Sequence, residues 1–461
     1  MSLLRIFNVF ICILCLVVAL AGCTRTYSVQ VDTAQKISEN NGNLNVSLNS
    51  GDQFGASLAN IGDLDLDTIP DLAVGSPFDD ENGTDRGAVW ILYLDSNGLV
   101  QSRLKISNGL DGFSGSLSDG DQFGSAVASP GDVDGDGIPD LVVGAPGDDD
   151  NGTDRGALWV LFLNRDGSVR TQQKISDVSG GLVASLNDND QFGSAVASIG
   201  DLNGDGIPDL VVGSTQRDDG GRNRGAVYIL FMNRDGTVQT QQKISSTDGN
   251  FGGDLQNEDH FGSAVAGMGD VDGDGIPDIA VAASGDDAGG ADRGAVWILF
   301  MNRDGTVKAE QKISQTDGQF DAVLGDGDQF GSSLGNVGDL NADGVNELAV
   351  GADLSSAGGP GRGAVYILFL KKTGEVISSS QISQTSGNFP DALTDGEHFG
   401  SAVTGLGDLD GDGNQDIAVG ANLDDDGGTD KGALWVLFMS SIKFGYRIDP
   451  NADLAAYFRG N

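Results

Sequence analysis

The chain has 461 residues and a formal net charge of −42, from 68 acidic against 26 basic side chains, and 39% of it is hydrophobic. So acidic a balance excludes a nucleic-acid partner, because phosphate binding needs clustered Lys and Arg, and the apolar content excludes global disorder. The acids are 61 Asp and only 7 Glu, beside 72 Gly, which points to turns and oxygen-ligand loops instead of charged helices.

Residues 1–22 read as a secretory signal: one charge, Arg5, then an apolar run from Ile6 to Leu20 that is too short for a comfortable transmembrane helix. The run ends in Leu20-Ala21-Gly22-Cys23, which resembles the lipobox of bacterial lipoproteins. That resemblance implies cleavage before Cys23, lipidation of Cys23 on its thiol and new amino group, and a durable membrane anchor. Thr24 in place of Asp after the cysteine implies delivery to the bacterial outer membrane or cell surface, facing either outward or into the periplasm. Cys12 and Cys15 leave with the signal, so the mature chain has no disulfide. Residues 23–33 are expected to be a tether.

Residues 34–439 are one unit repeated six times at an interval of 69 residues, without insertions. Asp-Gln-Phe-Gly starts at Asp52, Asp121, Asp190 and Asp328, with variants starting at Asp259 and Glu397. Lys-Ile-Ser recurs at Lys36, Lys105, Lys174, Lys243 and Lys312, with Gln381 in the sixth place. Within the second copy, a small-residue run (124–128), an apolar run (141–143), a longer apolar run (157–163) and a polar run (169–175) predict four strands. Asp166-Gly167 between the last two predicts a type I′ hairpin. No helical stretch of useful length stands out. Six copies of four antiparallel strands predict an all-β, six-bladed β-propeller, with small residues at the axis and polar ones at the rim. A polar strand at 35–38 precedes the first copy and none follows the last, so the N-terminal segment is expected to complete the sixth blade and close the ring.

Each copy carries an Asp-rich nonapeptide between its first two strands; the second reads Asp132-Val-Asp134-Gly-Asp136-Gly-Ile138-Pro-Asp140. Acids at positions 1, 3, 5 and 9, a turn glycine at 6 and a free carbonyl at 7 suit a hard, oxygen-seeking cation. An EF-hand would need Glu at position 12, where Val143 stands. Here the sequence resembles the FG-GAP repeat of the integrin alpha-chain propeller, on Phe123-Gly124, Gly144-Ala145-Pro146, the acidic loop and Gly156-Ala157-Leu158-Trp159. That propeller usually has seven blades, against six repeats here.

The resemblance implies up to six Ca²⁺ ions, with ligands from Asp63, Asp65, Asp67 and Asp71, then Asp132, Asp134, Asp136 and Asp140. The third loop offers Asp201, Asn203, Asp205 and Asp209, and the fourth Asp270, Asp272, Asp274 and Asp278. The fifth offers Asp339, Asn341, Asp343 and Glu347, and the sixth Asp408, Asp410, Asp412 and Asp416. Thr68 replaces the turn glycine in the first loop, and Glu347 lengthens the ninth position in the fifth. Together the loops hold 22 carboxylates, whose mutual repulsion opposes folding without a cation, so calcium is expected to be structural.

Function is expected to be adhesion or protein and glycan binding by a lipid-anchored monomer. The alternatives are an extracytoplasmic propeller hydrolase or lyase working through paired carboxylates, and a coat protein without a specific ligand. Catalysis calls for a constellation that departs from symmetry, and the acids here repeat in register. Arg86, Arg155, Arg224, Arg293, Arg362 and Lys431 recur before the long apolar strand and are expected to pair with neighbouring acids. Phe54, Phe123, Phe192, Phe261, Phe330 and Phe399 are expected to pack between blades, and His260 and His398 to be loop variants. The loops between second and third strands vary most, with Arg217 and Arg222 in copy three and the uncharged 355–359 in copy five. They are expected on the face opposite the acidic hairpins, as the partner-binding face. Residues 440–461 form an aromatic tail.

Overall fold

The computed structural model describes residues 23–448; residues 1–22, expected as a signal, and the tail beyond Ile448, with Tyr457 and Phe458, lie outside the described residues. Among the described residues no helix is long and apolar enough to cross a membrane. The chain folds into six four-stranded antiparallel sheets and one two-stranded ribbon, arranged as a six-bladed β-propeller. Blade two is a meander of Ala126–Gly131, Asp140–Ala145, Ala157–Leu163 and Val169–Ile175, running from axis to rim. The third strand is buried along its whole length and the fourth only at its ends, as the apolar and polar runs require.

Blade six takes three strands from the last copy, Phe399–Gly407, Asp416–Ala421 and Ala433–Met439, and its rim strand, Val31–Ile37, from the N-terminal segment. Lys36 sits opposite Trp435, and Ile37 opposite Leu434. The first and last turns of the ring are thereby bonded, and the open sheet edges are removed. Between neighbouring blades, each motif phenylalanine donates its N–H to the carbonyl of the preceding copy's basic residue, as in Phe123 N to Arg86 O at 3.0 Å and Phe54 N to Lys431 O at 2.9 Å. The core accordingly divides into wedges between blades; one joins Val89, Ile91 and Ile106 of blade one to Phe123, Trp159 and Leu161 of blade two. The glycines of the repeat follow from this closeness: at Gly144 an added Cβ would stand 2.0 Å from the carbonyl oxygen of Gly193 in the next blade. Toward the axis, where six strands converge, the lining residues are small, with Ser125, Ser194, Ser263 and Ser401 at one level.

The rim hairpins differ from the type I′ turn expected at Asp166-Gly167. Gly167 has φ of 77° and Asp166 is not left-handed, while Asn164 N donates to Ser168 O at 2.8 Å and Gly167 N to Asn164 O at 2.9 Å. This is a longer loop with a left-handed glycine and a register shift between Val169 and Thr171. The Asp166 carboxylate accepts from the Ser168 N–H and hydroxyl, holding its own backbone in the ordinary region.

Two segments expected as tether and tail pair with each other. Cys23–Ser28 and Lys443–Ile448 form an antiparallel ribbon in which Tyr27 faces Phe444 and Arg25 faces Tyr446. The ribbon docks on the rim of blade five, where Tyr27 N and Val29 N donate to Ser378 Oγ and Ser380 Oγ at 2.8 and 3.1 Å. Tyr27 stacks on Phe369 at 5.4 Å, and Ile377 and Ile442 pack into the same core wedge. Blade five's rim strand reads Val376-Ile-Ser-Ser-Ser-Gln, where blade two has Val169-Arg-Thr-Gln-Gln-Lys. The short side chains of blade five leave room for a covering strand, and their hydroxyls satisfy its N–H groups.

Candidate metal centres

The acidic hairpins are shaped by their own carboxylates. In loop two Asp132 accepts from the N–H groups of Gly135 (2.7 Å), Asp136 (3.0 Å) and Gly137 (2.8 Å), while Asp134 and Asp136 accept from Asp136 N and Ile138 N. Gly135 and Gly137 sit at φ of 85° and 83°, so the turn needs residues that tolerate the left-handed region. Loops three and four repeat these contacts through Asp201, Asn203 and Asp205 and through Asp270, Asp272 and Asp274. Loop one makes the same turn with Leu66 and Thr68 left-handed at 69° and 79° instead of glycine. Thr68 therefore strains loop one without unmaking it: Asp63 still accepts from Asp67 N and Thr68 N at 2.9 and 3.0 Å.

The ninth residue ties the loop to the blade. Asp140 is fully buried and accepts from Val133 N at 2.9 Å and from Leu163 N, at the end of the third strand, at 3.3 Å. Asp71, Asp209, Asp278 and Asp416 do the same in their blades. Glu347, also fully buried, bonds Leu340 N at 2.6 Å and Asn341 Nδ2 at 3.1 Å. The first strand of blade five is only Leu334–Asn336. Burial first, and then the neighbouring loop carboxylates, push Asp71 and Asp140 up to about 7, Asp209, Asp278 and Asp416 to about 6 and Glu347 to about 8.

Carboxylate oxygens converge within 4.8 Å of one another in five loops: Asp63–Asp65–Asp71, Asp132–Asp134–Asp136, Asp270–Asp272–Asp278, Asp339–Asp343–Glu347 and Asp408–Asp410–Asp416. Oxygens so spaced, three per site, fit the shell of a hard divalent cation, whose ligands stand about 2.3–2.6 Å from the ion. Loop three keeps the same backbone with Asn203 supplying an amide oxygen. The sequence did not signal that loops two and four also hold a tethered cation. Arg170 bonds Asp134 and Asp136 (2.5 and 3.0 Å), and Lys308 bonds Asp272 and Asp274. The same strand position is Gln101, Gln239, Ile377 and Asp32 in blades one, three, five and six.

On the opposite face the recurrent cations are absorbed by acids. Arg86, Arg155, Arg293 and Arg362 pair with Asp119, Asp188, Asp326 and Asp395 at 2.7–2.9 Å, and Lys431 pairs with Glu39. Arg224 departs, reaching the Asn257 amide oxygen at 3.3 Å. The repeat lysines have a structural role that spacing alone did not give: Lys105, Lys174 and Lys312 lie over Trp90, Trp159 and Trp297 and pair with Asp79, Asp148 and Asp286. Copy five deletes both charges together, with Gln381 bonding the Tyr366 hydroxyl at 3.1 Å and Ser355 in the acid's place. In copy three Arg217 inserts between Asp190 and Asp219. His260 and His398 remain loop residues, His398 against Asp353 at 3.1 Å.

The family comparison agrees with this architecture. The FG-GAP repeat model matches residues 54–92, 123–161, 192–230, 261–299, 330–368 and 399–437, one match per blade. Among curated proteins the chain is 37% identical to Integrin alpha-PS5 of Drosophila melanogaster over 165 residues, 35% of this chain and 15% of that one. It is 38% identical to Integrin alpha-2 of Mus musculus over 170 residues (36% and 13%), and 33% identical to Integrin alpha pat-2 of Caenorhabditis elegans over 248 residues (50% and 18%). The matched part is thus less than a fifth of each of these relatives. A solved structure, BBS1N in complex with ARL6DN soaked with lead, aligns with a TM-score of 0.37 and 12% identity over 93% of this chain and 100% of that one. With six matches that together span half of its residues, one on each blade and each enclosing an acidic hairpin, the chain belongs to the FG-GAP repeat family.

Proposed function

We propose that the protein is a calcium-stabilised, lipid-anchored cell-surface propeller that acts as an adhesion or protein- and glycan-binding module. The observation that carries the reading is the set of six pre-folded acidic hairpins on one face, five of them converging carboxylate oxygens. Calcium offsets about half of this face's loop charge and locks the first two strands of each blade together, leaving the opposite face to vary. At ten times its dissociation constant calcium adds about 1.4 kcal/mol per site, and six independent sites add about 8 kcal/mol. Similarity to integrin alpha chains supports a binding role. The loops between second and third strands supply specificity, centred on Arg217 and Arg222 in blade three and on Ser355 and Ser356 in blade five. The anchor is Cys23, in a bacterial outer membrane or at the cell surface.

The test is a pull-down with the lipid-free protein, with and without calcium, beside thermal melts in the same buffers. Retention of a protein or glycan only with calcium, with a melting temperature that drops on chelation, is the expected result. Swapping the blade-three loop for that of blade two should abolish retention. An unchanged melting temperature on chelation would overturn the calcium reading, and unchanged retention after the swap would overturn the placement of specificity.

A further inference from the structure

The ribbon is an anomaly of charge in a very acidic molecule. Its two strands, Cys23–Ser28 and Lys443–Ile448, contain Arg25, Lys443 and Arg447 and no acid, while the chain as a whole stands at −42. It also carries the most exposed aromatics among the described residues, Phe444 and Tyr446, which are 63% and 61% exposed. These two alternate along one strand and so share a face, and the register sets Tyr27 and Arg25 opposite them; Tyr27 turns in onto Phe369, leaving Phe444, Tyr446 and Arg25 toward solvent. Arg25 lies over the rings of both Tyr27 and Phe444, at 5.2 and 4.7 Å. Water-facing Phe and Tyr in a basic setting are unfavourable for a merely solvated rim, and they match the aromatic and cationic composition found at membrane–water interfaces.

The ribbon's place in the chain identifies the occupant. Cys23 pairs in register with Ile448, at the end of the ribbon remote from the propeller's own strands. At about 3.4 Å per residue, Tyr446 lies about 7 Å and Phe444 about 14 Å along the ribbon from Cys23. With the ribbon lying along the surface, an acyl group on Cys23 would hold both rings at the headgroup layer, which is about 5–7 Å thick on each side of the hydrocarbon; with the ribbon upright, Phe444 would stand beyond it.

We propose that the ribbon of residues 23–28 and 443–448 seats the protein on an anionic lipid surface, with Phe444 and Tyr446 in the headgroup layer and Arg25, on the same face, against the phosphates. The rim of blade five then faces the bilayer. The propeller stands edge-on, and both its acidic-hairpin face and its variable-loop face stay open to solvent. Docking of the ribbon through Ser378 and Ser380 makes this orientation a property of the fold and not of a flexible leash. The inference extends the anchoring at Cys23 but is tested without it.

The experiment uses the mature full-length chain carrying Cys23→Ser, so that no acyl chain is present, and vesicles of equal parts phosphatidylglycerol and phosphatidylcholine in calcium-containing buffer. Co-sedimentation is expected with these vesicles and not with phosphatidylcholine alone. Arg25→Gln should weaken it about fivefold, the fold-change for one basic residue near an anionic surface, and Lys443→Gln, on the other face and bonded to Gln30, should weaken it less. The double variant Phe444→Ala/Tyr446→Ala should lose it while keeping the parent's melting temperature. All variants keep the same acidic hairpins, so calcium bridging of those hairpins to lipid would leave binding unchanged and overturn the proposal. So would absent binding by the parent, binding gained only when residues 449–461 are removed, or a dimer that the double variant dissociates. Lipidation itself is read separately, from the mass of the native mature protein, so the two ideas fail independently.

Discussion

Replacing Asp140 by Asn separates the two duties of the ninth loop residue. The carboxylate is fully buried and accepts from two backbone donors, Val133 N at 2.9 Å and Leu163 N at 3.3 Å. An amide has one acceptor oxygen, so one of those N–H groups loses its partner, at a cost of about 1–3 kcal/mol regardless of metal. The substitution also removes the ninth-position carboxylate that the family resemblance makes a ligand of loop two, where Asp132, Asp134 and Asp136 are the three that converge. If the loop then fails to bind, a further 1.4 kcal/mol or so of linkage is lost at tenfold saturation. Urea unfolding should therefore show a loss of about 1–3 kcal/mol in chelator and about 2–4 kcal/mol in calcium. Equal losses in the two buffers would refute the metal duty of Asp140. No loss in chelator would refute its role as the buried tie between hairpin and third strand.

Three further outcomes follow from the same geometry. Arg170→Gln and Lys308→Gln remove tethered charges from loops two and four, so calorimetric calcium titration should show tighter binding at two sites; unchanged affinities would mean that these cations do not compete. Deleting residues 23–38 strips the rim strand of blade six and the fully covered Val31 and Ile37, a loss of at least about 3 kcal/mol from two aliphatic side chains; loss of a single cooperative transition by circular dichroism is expected, and a native-like melt would refute closure. Burial pushes Asp52, Asp121 and Asp259 up to about 6. The folded state then binds more protons than the unfolded between about pH 4 and 6, and stability from these groups falls as pH rises through that window. Asp121→Asn should gain stability relative to the parent from pH 4 to 8, and a flat difference in urea midpoints would refute it.

Much of the architecture is already present in the linear pattern because a constant interval of 69 residues leaves no freedom in the number of blades. The uninterrupted run Ala157–Leu163 and the polar run Val169–Ile175 became strands with those bounds, since burial on two faces and exposure on one select different residues. The missing rim strand after Met439 could be read as closure, because an unpaired propeller edge is unstable. The hairpin at Asp166-Gly167 was misread because Asp-Gly fits more than one turn. The choice lay with Asn164 and Ser168, whose hydrogen bonds with each other and with Asp166 favour the longer loop.

The sequence by itself determined the repeat, the blade count and the ring closure, because these depend on local pattern and fixed spacing, whereas the carboxylates that converge differ from loop to loop. Only the tertiary structure decided what lies across from each group. Arg170 and Lys308 reach acids 34–36 residues away, Arg217 settles between Asp190 and Asp219, and Arg25 meets Phe444 from the far end of the chain. A period of 69 residues carries no record of such partners, since they depend on strands brought together by the curvature of the ring. The ribbon is the clearest case: neither of its strands belongs to the repeat, the closure of blade six brings them side by side, and the rim of blade five, with Ser378 and Ser380 in place of longer side chains, seats them.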